Sequence, residues 1–139
     1  MSCWTYINGF MNVGYFRSGT QEERNKKFKE LLESLPKVTG SEDDMYVMYS
    51  VNKSKSYSVH YDEHGNRKIT YDYYLVAFSG SLRDREEEET INEFQNFVAS
   101  ISRHPDTAID EMIVTINDKA RYWIDYDDGV EASTTSTYG

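Results

Sequence analysis

The fold turns on Tyr73-Tyr74-Leu75-Val76-Ala77-Phe78, six residues that are apolar at both odd and even positions. A run this short and apolar on both parities is the pattern of a strand in the buried middle of a sheet. Upstream, Asp62-Glu63-His64-Gly65-Asn66 is turn chemistry, so the central run reads as part of a return strand over residues 68–82. The outgoing side of that hairpin carries Tyr57, Val59 and Tyr61. Before it, Met45, Val47, Tyr49 and Val51 alternate with Tyr46, Met48 and Ser50, which is strand periodicity. Downstream, Asp84 is placed to cap a helix, with Glu87 three residues on and Glu86 to Glu89 in the first turn, where the helix dipole favours negative charge. Ile91, Phe94, Phe97, Val98 and Ile101 make its buried arc, and Pro105 sets its limit near Arg103-His104.

Further out, the remaining elements fall into place. Residues 3–13 mix aromatic and β-branched side chains on both parities, predicting a strand covered on both faces for part of its length. Thr20-Gln21-Glu22-Glu23 matches a capping box, and Phe28, Leu31, Leu32 and Leu35 follow at helical spacing until Pro36 ends the run. Ile109 to Ile116 predicts another strand, and Asn117-Asp118 a hairpin tip leading to alternating Tyr122, Ile124 and Tyr126. The order strand, helix, strands, helix, strands predicts an α+β, ferredoxin-like split βαβ antiparallel sheet, with two helices on one face and extra β-hairpins. One domain over residues 1–126 is expected, followed by a loose acidic and Ser/Thr-rich tail over 127–139.

The chain has 139 residues and 24 acidic against 15 basic side chains, a net charge of −9. Its size permits one core without staples, and its single cysteine excludes an internal disulfide framework and a cysteine-based zinc site. No apolar run reaches the roughly 18 residues of a membrane span, so a cytoplasmic protein without membrane contact is expected. The acidity argues against direct binding to nucleic acid, because phosphate contacts need Lys and Arg. The charge is also unevenly placed. Residues 1–60 carry 8 basic and 7 acidic side chains, whereas residues 61–139 carry 7 and 17. On a helical wheel Glu86, Glu89 and Glu93 fall together on the outer flank of the second helix, outside the capping role given to Asp84 and Glu87. These three are the expected partner-binding residues, with Asp125, Asp127 and Asp128 a second acidic group.

Residues that could carry chemistry are few. His60, Asp62 and His64 have the types to hold a metal, but lack a third histidine or further carboxylate, and an exposed hairpin tip is the plainer reading. Asp125, Asp127, Asp128 and Gly129 miss the register of a calcium loop. Cys3 sits among apolar neighbours and reads as a small buried hydrophobe. Asn52-Lys53-Ser54 is formally a glycosylation acceptor, with nothing else in the sequence suggesting secretion. No nucleotide-binding or hydrolase signature is present, so no catalytic residue, metal or cofactor is expected. Tyr71-Asp72-Tyr73-Tyr74-Leu75-Val76-Ala77-Phe78 lacks the basic opening residue and the glycine of an RNA-stacking strand. Tyrosines on strands beside an acidic helix point instead to a protein-binding surface.

The opening Met1-Ser2-Cys3-Trp4-Thr5-Tyr6-Ile7-Asn8-Gly9, the Val38-Thr39-Gly40-Ser41-Glu42 turn, and Leu82-Arg83-Asp84-Arg85 followed by Glu88-Glu89-Thr90 and Glu93-Phe94 resemble small proteins of phages and prophages of Gram-positive bacteria. The resemblance covers residues 1–116. Small acidic phage proteins of this kind resemble anti-defence proteins, including anti-CRISPR inhibitors. It implies a non-enzymatic inhibitor in the host cytoplasm that binds a host defence protein, foremost a type II CRISPR effector nuclease with its guide RNA. Such a protein would block DNA binding or the conformational change that follows. A phage structural or assembly protein acting as a homo-oligomer stays open beside this, as does a metal-dependent enzyme degrading nucleic acid or nucleotides.

Overall fold

A computed structural model describes residues 3–17, 19–52, 59–61, 63–69, 72–126 and 129–134. In chain order the elements are β1 (Trp4–Tyr15), α1 (Gln21–Ser34), β2 (Tyr46–Val51), β3 (Val59–Tyr61), β4 (Arg67–Ile69), β5 (Asp72–Arg83), α2 (Glu87–Ser102), β6 (Thr107–Ile116), β7 (Lys119–Tyr126) and β8 (Gly129–Thr134). Six strands pair in the order β2-β5-β1-β6-β7-β8, each neighbouring pair antiparallel, and β3 and β4 form a separate hairpin. The fold is therefore α+β, an antiparallel sheet with two helices. The expected return strand over residues 68–82 is divided: Arg67–Ile69 pairs with β3, whereas Asp72–Arg83 pairs with β1 and β2. Part of the segment expected as a loose tail, Gly129–Thr134, pairs with β7 as the last strand of the sheet.

Both helices pack on one face of the sheet. Phe28 of α1 stacks on Tyr74 with ring centroids 4.1 Å apart and meets the edges of Tyr15 and Tyr49. Phe94 and Phe97 of α2 close on Phe78, at 5.0 and 6.4 Å. Tyr74 and Phe78 are four residues apart on β5 and so lie on the same side. Ile7, Met11 and Val13 of β1, with Val114 and Ile116 of β6, complete this buried layer. The opposite parity of β5 is only half-buried: Tyr73, Leu75 and Ala77 are not covered by a helix. The central run Tyr73 to Phe78 is thus buried on one face rather than two, because two helices suffice to cover only one side.

Local chemistry explains how the strands approach. A Cβ on Gly9 would lie 2.1 Å from the Ile113 carbonyl oxygen, so only glycine lets β1 and β6 come this close. The register of β1 against β6 shifts after Asn12, leaving Asp110 as an extra residue. This bulge keeps Ile109 and Thr107 on the covered side with Met112, Val114 and Ile116. The β6–β7 turn is made by Asn117 and Asp118, both at positive φ (48° and 66°), as a tight hairpin requires.

Helix α1 begins where the sequence places it: Thr20 caps it, its side chain accepting from the Glu23 N–H at 3.1 Å. Its buried residues are Arg24 and Phe28, one turn apart. Arg24 Nε donates to Asp72 Oδ2 at 2.8 Å, both side chains being 1% exposed, and Arg24 Nη1 donates to the Gly19 carbonyl at 2.5 Å. Beside this pair the Tyr74 hydroxyl donates to Asn25 Oδ1 at 2.6 Å. Burial, with the Asp72 charge adding to it, pushes the Tyr74 phenol well above its ordinary range, and burial also raises Tyr15. A raised phenol pKa means the folded state holds its proton above pH 10 while the unfolded state releases it. The stability contributed by these two groups is therefore present up to about pH 10 and falls as the pH rises further. Urea midpoints measured from pH 8 to 11.5 should decline above pH 10, and more steeply in the native protein than in Tyr74→Phe.

Helix α2 starts two residues later than the sequence suggests. Its N-cap is Glu86 rather than Asp84, and Glu89, not Glu87, closes the capping box by accepting from the Glu86 N–H at 3.1 Å. Asp84 is occupied elsewhere. It turns the chain at φ 58°, its N–H donating to the Cys3 carbonyl at 2.6 Å and its carboxylate accepting from Ser41 Oγ at 2.8 Å. Strand β5 runs through Arg83, so Asp84 and Arg85 are spent on the corner between strand and helix.

Candidate functional site

Glu86, Glu89 and Glu93 were expected as outward carboxylates without a structural duty; Glu86 and Glu89 are indeed exposed, but the structure gives all three a structural duty. Glu86 and Glu89 form the capping box of α2. Glu93 is half-buried, and its carboxylate accepts from the Thr39 N–H at 2.9 Å and the Thr39 hydroxyl at 2.7 Å. The Arg85 guanidinium reaches the same hydroxyl at 3.3 and 3.4 Å. Glu93 thereby pins the loop between α1 and β2 to α2. Glu87 lies 3.8 Å from Lys119 Nζ. In the second acidic group, Asp125 pairs with Val130 in the β7–β8 ladder, while Asp127 and Asp128 lie outside the described residues.

The other candidates are equally settled by place. Cys3 is exposed rather than buried, because it precedes β1 at the sheet's rim, and its thiol donates to the Arg85 carbonyl at 3.2 Å. Of His60, Asp62 and His64, Asp62 lies outside the described residues, and His60 opposes Lys68 in the β3–β4 hairpin. Among the described residues no three His, Cys, Asp or Glu side chains are grouped to hold a metal ion, and no helix is long and apolar enough to cross a membrane. Asn52 to Ser54, the formal glycosylation acceptor, is described only at Asn52, whose amide donates to Asn12 Oδ1 at 2.8 Å.

What the sequence left unspecified is the make-up of the sheet face that the helices do not cover. Register fixes its rows: Met48 of β2 lies beside Ala77 of β5, which lies beside Phe10 of β1, which lies beside Ile113 of β6. The next row runs Tyr46, Ser79, Asn8, Thr115. At the near end Trp4 and Tyr6 stack with ring centroids 6.4 Å apart, and the Arg83 guanidinium sits 5.9 Å over Trp4 while pairing with Glu42. Trp4, Tyr6, Tyr46, Met48 and Ile113 are each 40–63% exposed. At the far end the Asn52 amide reaches Asn12, and Asn12 Nδ2 donates to Glu111 Oε2 at 3.0 Å, closing the apolar area with a polar chain.

The row Met48, Ala77, Phe10 and Ile113 is apolar across four adjacent strands, whereas the row beside it is polar at Ser79, Asn8 and Thr115. Among the described residues of this face Arg83 is the only cation, it is paired with Glu42, and Glu111 adds a negative charge. The signal in the sequence was the second parity of each strand, Tyr46 with Met48 and Trp4 with Tyr6; the strand tyrosines were read as a protein-binding surface, but without the face they occupy. Comparison with protein-family models, with curated proteins and with solved structures found no match.

Proposed function

We propose that this chain is a non-enzymatic inhibitor that captures a bacterial defence protein, with a type II RNA-guided nuclease and its guide RNA as the target that fits best. The observation that carries this reading is the set of exposed large side chains, Trp4, Tyr6, Tyr46, Met48 and Ile113, on the open sheet face of a chain with net charge −9. Apolar and aromatic anchors supply holding energy, while the acidic surroundings speed encounter with a positively charged nucleic-acid channel. The finer fold assignment belongs with this reading. The strand order β2-β5-β1-β6, with α1 between β1 and β2 and α2 between β5 and β6, supports a ferredoxin-like split βαβ core extended by β7 and β8. The site of action is then the host cytoplasm, and inhibition is steric and electrostatic with no cofactor.

The test is inhibition of target-DNA cleavage by a purified type II effector loaded with guide RNA. Cleavage should stop at near-equimolar protein, and Tyr6→Ala with Ile113→Ala should raise the required concentration about 30-fold or more, the size of one lost anchor. Full inhibition by that double variant would remove the open face from the mechanism. No inhibition by the native chain would remove this class of target.

A further inference from the structure

We propose that the free edge of β2 pairs with β2 of a second copy, so that the protein is a two-fold dimer whose two sheets run into one. β2 ends the strand order, and its described pairing is with β5 alone. Edge strands of soluble proteins are ordinarily guarded by charged side chains, proline or a bulge. Tyr46-Val47-Met48-Tyr49-Ser50-Val51 has no charge and no proline, and its register against β5 is unbroken from Tyr46 to Val51. The opposite edge, β8, carries Glu131 within the strand.

The occupant follows from what this strand tolerates beside it. A two-fold axis normal to the sheet at Met48 sets Met48 beside Met48 of the second copy, Tyr46 beside Ser50, and Val47 beside Tyr49. Every cross-strand pair is then neutral and stays on its own face, so the register demands no repulsion. The same axis runs α1 antiparallel to its copy. The groove between α1 and β2 is lined by Leu32, Val47, Tyr49 and Phe97, with Lys29, Glu33 and Lys37 at its rim. Lys29 and Glu33, both more than half exposed, are 3.9 Å apart on one helix. Antiparallel helices bring each Lys29 towards Glu33 of the other copy, giving two complementary pairs. The rim carries Lys29 and Lys37 with Glu33, so the acidic excess of the chain does not lie on this contact.

The dimer is measured without the defence target, so its failure leaves the proposed function standing. Light scattering behind size exclusion, over low to high micromolar concentration of the full chain, should give twice the 16.2 kDa chain mass. Met48→Lys, which sets two ammonium groups face to face at the axis, should return the mass to that of one chain while circular dichroism stays native. Lys29→Glu should weaken the dimer, and adding Glu33→Lys should restore it. In a Cys3→Ser background, Met48→Cys should form a disulfide-linked dimer on oxidation, whereas Ile113→Cys, on the same face but away from the edge, should not. A native chain that stays monomeric throughout, a dimer unaffected by Met48→Lys, or linkage at Ile113 without linkage at Met48 would each overturn the proposal.

Discussion

Arg24→Met is expected to cost the fold about 3–5 kcal/mol, the range for removing one partner of a buried ion pair. The loss comes from the partner left behind. Asp72 is 1% exposed, and its Oδ2 takes the Arg24 Nε–H at 2.8 Å; without the guanidinium its charge has no compensation at that depth. Arg24 also satisfies the Gly19 carbonyl, so the start of α1 loosens from the loop before it. Urea unfolding followed by circular dichroism would measure the change. The double variant Arg24→Met with Asp72→Leu should recover much of it, because two apolar groups of similar volume leave no buried charge. A single variant costing under about 1 kcal/mol would mean that water reaches Asp72 and that the pair is worth no more than a surface bridge.

Phe28→Ala should be of similar size, about 3–5 kcal/mol, for a different reason. Phe28 is fully buried and touches the rings of Tyr15, Tyr49 and Tyr74. Apart from Arg24 it is the only fully buried residue in α1, the flanking Leu31 and Leu32 being partly exposed. Truncation therefore opens a cavity under three aromatic rings that cannot collapse without shifting β1, β2 and β5 together. Phe28→Leu should recover part of the loss, since it refills volume but not the stack on Tyr74. The readout is again the urea midpoint, with near-ultraviolet circular dichroism reporting the packing of the tyrosines. A cost near that of a surface substitution would show that α1 is held by its leucines instead.

The order and type of most elements, β8 and the β4–β5 break apart, were legible because their signals are local. The Thr20 cap, the Phe28 to Leu35 spacing and the Asn117-Asp118 tip each need only a few neighbouring residues to take effect. The start of α2 was misjudged because Asp is a preferred cap residue and Glu is not, so local preference points to Asp84. Strand β5 extends through Arg83 and pairs Trp4 with it, so the corner falls on Asp84 and the cap on Glu86. Glu93 was read as free because its partner, Thr39, lies 54 positions away and belongs to a loop with no periodicity of its own.

The sequence by itself determined both helices and most of the strands, though neither β8 nor the break between β4 and β5, and where the negative charge accumulates along the chain. Side-chain period and turn chemistry act over one or two turns, and charge is a matter of composition. Only the tertiary structure decided which face of the sheet the helices cover, which carboxylates are consumed in holding the corners, and which strand is left as an edge. Those outcomes depend on contacts between groups 48 to 54 positions apart, such as Arg24 with Asp72 and Thr39 with Glu93, which no local pattern specifies. The open face exists for the same reason: two helices cover one side of the sheet, and the second parity of β1, β2, β5 and β6 has no helix over it.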